Sequence, residues 1–100
     1  MSGRLVVIQP DGSQTDDRWE KPGTPDYQTL KILVGGFIER VRVRFENRVR
    51  DAYVNEEGLI YGLEYNPKAT AMLAPPFSPA ANTLVGPVVI WVPDAKKVKP

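Results

Sequence analysis

The run Phe37–Phe45, FIERVRVRF, alternates apolar and charged side chains almost without a break. A strand has a two-residue period, so Phe37, Val41, Val43 and Phe45 fall on one face and Arg40, Arg42 and Arg44 on the other. The chain therefore needs a sheet with one face on a core. Glu39 lands on the apolar face, near the start of the strand, and a buried carboxylate requires a partner. Two readings follow for it: a structural hydrogen bond to backbone N–H groups or an arginine, or a polar group at the floor of a small cleft beside the backbone of Gly35 and Gly36.

The flanking sequence fills in the other elements. RLVVIQ (Arg4 to Gln9) is short, β-branched and stopped by Pro-Asp-Gly, a first strand. The polar stretch from Asp11 to Pro22 reads as a long loop, with Trp19 folding back as an anchor. TPDYQTLKILVGG carries a helix signature: Thr24 as cap, Pro25 at the first position and Asp26 at the positive end of the dipole. Tyr27, Leu30, Leu33 and Val34 share one face, and Gly35 and Gly36 supply the left-handed stop. VRDAYVN and LIYGLEY read as two more strands joined by NEEG, a turn with Gly58 left-handed and Asn55 accepting a local hydrogen bond. Asn66-Pro67 begins a second short helix, with Asn66 its cap and Ala69, Met72 and Leu73 its buried side. The last strand, Val88 to Val92, is apolar on both faces and so is expected to be central.

The expected fold is α+β: a small mixed or antiparallel sheet of about five strands with two short helices on one face. At 100 residues there is room for one domain, placed at residues 1–93, followed by a basic tail over 94–100 expected to be disordered.

Composition removes whole classes of chemistry. The chain has no Cys and no His, so disulfides, thiolate–imidazole and Ser-His nucleophile pairs and imidazole-based zinc sites are excluded. A calcium-loop reading of DGSQTDD fails, because its sixth position is Asp16 rather than Gly and its twelfth is Pro22 rather than Glu. The lone VGG lacks the rest of a dinucleotide fingerprint. The Glu56–Glu57 pair has no further ligands in the pattern, so no metal and no cofactor is expected. The net charge of +1 argues against a bulk-charge DNA coat or a strongly acidic mimic. Neither a signal peptide nor a membrane span is legible, which makes the cytoplasm the expected compartment.

Four pieces, in order, resemble the family known as domain of unknown function 3846. They are Val34-Gly35-Gly36-x-Ile38-Glu39, Asn55-Glu56-Glu57-Gly58-Leu59, Asn66-x-x-Ala69 and Gly86-x-Val88-Val89. The resemblance spans residues 30 to 92. It implies an origin in a bacteriophage or mobile element and residence in a bacterial cytoplasm, and assigns no activity.

No catalytic constellation survives, so the expected role is binding rather than catalysis. In the first reading the protein docks on a host protein, in host takeover or anti-defence, through Arg40, Arg42, Arg44 and the Trp19 loop. In the second it is a nucleic-acid accessory protein, with the arginines tracking phosphates and Tyr53, Tyr61 or Tyr65 stacking bases. In the third it is an oligomer holding a small anionic ligand near Gly35, Gly36 and Glu39 or at Asn66. The first strand and the arginine strand are both candidate sheet edges, and pairing through either gives a homo-dimer.

Overall fold

The computed structural model describes residues 2–94. Five strands form one sheet, β1 Gly3–Ile8, β2 Gln14–Trp19, β3 Ile38–Phe45, β4 Arg48–Asn55 and β5 Val88–Pro93, with α1 Tyr27–Val34 and α2 Pro67–Ala71. The strand order is β2-β1-β5-β4-β3. Every neighbouring pair is antiparallel. The α+β class, the strand number and the two short helices are as the sequence implies.

The strand set differs by one exchange. Gln14–Trp19, read as loop, is β2, paired to β1 from Gly3↔Trp19 to Ile8↔Gln14. Its first five residues are all exposed. An edge strand solvated on both faces carries no apolar alternation, so periodicity misses it. LIYGLEY, read as a strand, is a chain of turns: Tyr61 N–H donates to the Glu57 carbonyl (3.0 Å) and Leu63 N–H to the Gly58 carbonyl (2.9 Å). Gly62 sits at φ +67° in this segment. Gly58 is not left-handed. It is required for space, since a Cβ there would lie 2.7 Å from Val85 Cγ2.

The helices do not share a face. Leu30 and Val34 of α1 pack with Leu5, Val7, Trp19, Val89 and Trp91. Ala69 of α2 packs with Val6, Ile8, Val41, Val43, Val88 and Ile90 on the other side. Successive residues of β1 and β5 feed opposite cores, and each core requires its own cover. This corrects the single-face expectation. It also explains why β5 is apolar throughout: it is central, as expected.

Local chemistry explains the ends of each element. The cap of α1 is Asp26 rather than Thr24, and its carboxylate accepts from Thr29 N–H at 2.7 Å. Tyr27 is the first helical residue and is exposed instead of on the buried face. Gly35 takes the left-handed stop at φ +80°. Glu46 and Asn47, both at positive φ, make the two-residue turn between β3 and β4. Asn66 caps α2 and Pro67 opens it, as read from the sequence. Asp94, assigned to the tail, is tied to the sheet: its carboxylate accepts from Ser2 and Arg18, and its N–H donates to the Ser2 carbonyl. The rest of the proposed tail, 95–100, lies outside the described residues.

Edges follow from this order. β1 is internal, so it is not the pairing edge the sequence allows for. β3 is an edge, and Met72–Ala74 caps part of it: Arg44 N–H donates to the Met72 carbonyl and Ala74 N–H to the Arg42 carbonyl. The other edge, β2, carries Asp16, Asp17 and Arg18 exposed, and charge on an edge discourages strand pairing.

Candidate functional site

Arg40, Arg42 and Arg44 project from the same side of β3 and are exposed. It is the side covered by α1, and α1 covers only part of it. Across the strand pair, Arg40 faces Tyr53, Arg42 faces Asp51 and Arg44 faces Val49. Among the described residues none of the three arginines is in an ion pair. The contrast is with Arg4, held by Asp16 and Glu46, and Arg18, held by Asp94 at 2.8 Å. Arg18 braces the β2 end of the sheet and Arg4 joins β2 to the β3–β4 turn, whereas the guanidiniums of the β3 stripe face solvent. Alternate residues of a strand are about 6.8 Å apart, so the three charges form a line roughly 14 Å long.

Beside the stripe lies an open groove of about 470 Å³. Tyr53 and Trp91 contribute aromatic surface, Val49 and Pro93 aliphatic surface, and Thr24, Arg42 and Asp51 polar groups. Arg48 and Arg50 also line it. Pockets that take ligand-sized groups run ~300–1,000 Å³, so the groove is large enough for recognition. Burial pushes the Tyr53 phenol above its usual range, Asp51 adds to the effect and Arg40 opposes it. Tyr53 therefore stays neutral at physiological pH and acts as a hydrogen-bonding aromatic wall. Nothing in this lining pairs a nucleophile with a base.

The other residues singled out from the sequence divide between structural and exposed positions. Trp19 is buried in the α1-side core, and its indole N–H donates to the Gly23 carbonyl at 3.2 Å. It is a packing residue and offers no contact surface. Tyr61 is exposed on the turn segment after β4, off the strands. Tyr65 is also outside the five strands, in an isolated bridge with Val85. Of the three tyrosines only Tyr53 stands beside the arginines.

Glu39 is exposed on the edge strand β3, although Val54 across from it is buried in the core. It lines a small cavity of about 70 Å³ with Asn55, Glu56, Leu59 and Leu84. That volume is well below the ~300 Å³ lower range of ligand pockets. Gly35, Gly36 and Asn66 do not line it. Asn66 is fully buried: its amide donates to the carbonyls of Ile8 and Gly86, both at 2.9 Å, and its oxygen accepts from Ala69 N–H. The groove residues that sequence reasoning passed over are Trp91, Thr24, Val49 and Pro93. Trp91 sits in an apolar run that reads as core, and only the sheet order brings Thr24 and Pro93 to the same place.

Comparison with known families matches residues 3–98 to the family described as Domain of unknown function (DUF3846). The chain belongs to that family. The match covers nearly the whole sequence and includes β1 and β2, which the motif resemblance left out. No curated protein and no solved structure matches the chain.

The geometry gives the DUF3846 motif residues a common task. Asn55 is buried, donates to the Val34 carbonyl at 3.3 Å and accepts from Glu57 N–H at 2.8 Å. Gly36 lies against that amide, where a Cβ would come within 2.8 Å of its nitrogen. Glu56 N–H donates to the Phe37 carbonyl. The first two motif pieces thus form one joint, between the end of α1 and the end of β4. Asn66 and Gly86 form a second, between α2, β1 and the approach to β5. These joints position the sheet, and the arginine face lies apart from both.

Proposed function

We propose that this protein is a non-enzymatic binding module, made from a phage or mobile element in a bacterial cytoplasm, that docks on an acidic protein of its host through the arginine face. One observation carries the reading. Three guanidiniums stand in line, free of ion pairs among the described residues, beside an aromatic-walled groove large enough for a partner side chain. Arg and aromatic groups at the centre of a patch are the usual anchors of protein interfaces. Asp51 in the groove favours a partner of mixed charge over a uniform polyanion. The nucleic-acid reading is weaker, since Tyr61 and Tyr65 lie away from the stripe and leave Tyr53 as the one stacking group near it.

The test is affinity capture from host lysate with the wild type and an Arg40→Glu/Arg42→Glu/Arg44→Glu variant. The expected result is an acidic protein retained by the wild type, released by salt and absent with the variant. Equal retention by both proteins sinks the reading. Binding of a single-stranded oligonucleotide that needs the same arginines, with a linear log–log salt slope, replaces it with the nucleic-acid function.

A further inference from the structure

The segment between β4 and α2 carries three of the four most exposed large apolar side chains among the described residues, Leu59 at 70%, Ile60 at 78% and Tyr61 at 68%; the fourth is Ile32. They are consecutive. Glu56, Glu57 and Glu64 flank them. Isolated exposed apolar residues are ordinary, whereas three in a row rimmed by carboxylates have the composition of a contact surface. The segment is also held by its own hydrogen bonds. Besides the bonds of Tyr61 and Leu63 already described, Gly62 N–H donates to the Leu59 carbonyl. Gly58 abuts Val85, and Leu63 lies close under Gly86. A preorganised loop loses little entropy on docking, which favours its use as a ligand.

This loop complements the groove. One is apolar with three flanking carboxylates; the other has aromatic and aliphatic walls, is lined by Arg42, Arg48 and Arg50 against the single carboxylate of Asp51, and has Arg40 and Arg44 alongside Arg42 on β3. They cannot meet within one molecule. The loop is anchored by Val85 and Gly86 at the end of the sheet where β4 finishes, and the groove lies around Val49 and Asp51, where β4 begins. We infer that the chain self-associates, with the Leu59–Ile60–Tyr61 loop of one copy seated in the arginine-rimmed groove of another. Opposite charge steers the encounter, and burial of Ile60 holds it. Two different patches meet, so each copy presents one of each. The inference rests on the reading that the arginine face binds protein. It adds that a second copy competes with the host partner for the same face.

Light scattering and native mass spectrometry of the purified chain test this, without lysate, on the wild type, Ile60→Asp, Arg42→Glu and an equimolar mixture of the two variants. Both substituted residues are exposed, so both variants fold, as circular dichroism verifies. The wild type is expected to grow in mass with concentration. Each variant alone is expected to stay monomeric, with self-affinity down by about tenfold or more, the usual loss at a contact anchor. The mixture is expected to recover a complex holding one of each, because one variant keeps its loop and the other its groove. A wild type that is monomeric throughout overturns the inference, as do variants that associate like the wild type or a mixture that recovers nothing. A monomeric wild type that still captures an acidic host protein removes the self-docking and leaves the proposed function standing. Arginine-dependent self-association without any host capture does the reverse.

Discussion

Asn66 makes three hydrogen bonds from one fully buried amide, and each ties a different part of the chain. Its cap oxygen holds the start of α2, and its nitrogen joins Ile8 of β1 to Gly86 ahead of β5. Asn66→Ala removes the cap and strands two buried carbonyls, so unfolding in urea is expected about 3 kcal/mol easier. Asn66→Asp is expected to be no rescue, because a carboxylate there keeps the cap and faces the two carbonyls without a proton to give. Asp94 supports a pH prediction. Its hydrogen bonds from Arg18 and Ser2 hold the carboxyl well below the usual carboxylate range. A pKa lower in the folded state means the contribution is present above the unfolded value of about 3.9 and is lost as pH falls through the folded value. Asp94→Asn is therefore expected to lower the urea midpoint at neutral pH, with the gap to the wild type closing in strong acid. A gap constant across the titration excludes the pairing as its source.

At the scale of elements, α1 and β3 give opposite expectations for residues that look alike in sequence pattern. Leu30 is on the buried face of α1 against Val89 and Trp91, so Leu30→Ala is expected to cost about 3 kcal/mol in denaturant unfolding. Glu39 shares the parity of Val41 and Val43 and yet is exposed at the sheet edge, so Glu39→Ala is expected to shift stability by no more than about 0.5 kcal/mol. The strict alternation of FIERVRVRF identified which side of β3 is apolar. It carried no information about how far the core extends along that side. The same limit applies to β2: QTDDRW has no pattern of its own, and β1 makes it a strand by offering a ladder from Gly3 to Ile8. LIYGLEY is the converse. Its residues suit a strand, but Gly58 must fit beneath Val85 and Leu63 beneath Gly86, and packing bends the segment into turns.

For the whole molecule, the two halves of the sheet are used differently. Arg18 and Asp94 brace the β2 end, Arg4 ties Asp16 of β2 to Glu46 in the β3–β4 turn, and the exposed β2 edge is charged. The β3 end carries the arginines that have no ion pair among the described residues, over a partly uncovered face. Stability and binding are therefore expected to separate. The Arg40→Glu/Arg42→Glu/Arg44→Glu variant is expected to unfold in one cooperative transition within about 1 kcal/mol of the wild type, since exposed groups without partners contribute little. The same variant loses capture of an anionic partner. A collapse of stability in this variant, read by thermal melting, would show that the stripe supports the fold instead.

By itself the sequence determined the α+β class, the alternating arginine strand, the central apolar strand and both asparagine-based joints as local turn and cap chemistry. Those features depend on neighbours a few residues away: side-chain parity, cap oxygens and glycine backbone freedom act locally. Tertiary structure decided the division of the helices between two faces, the burial of Trp19, the exposure of Glu39 and the assembly of the groove from Thr24, Val49, Asp51, Tyr53, Trp91 and Pro93. These depend on strand order, because β5 enters between β1 and β4 and brings together residues far apart in the chain. No spacing along the sequence encodes that meeting.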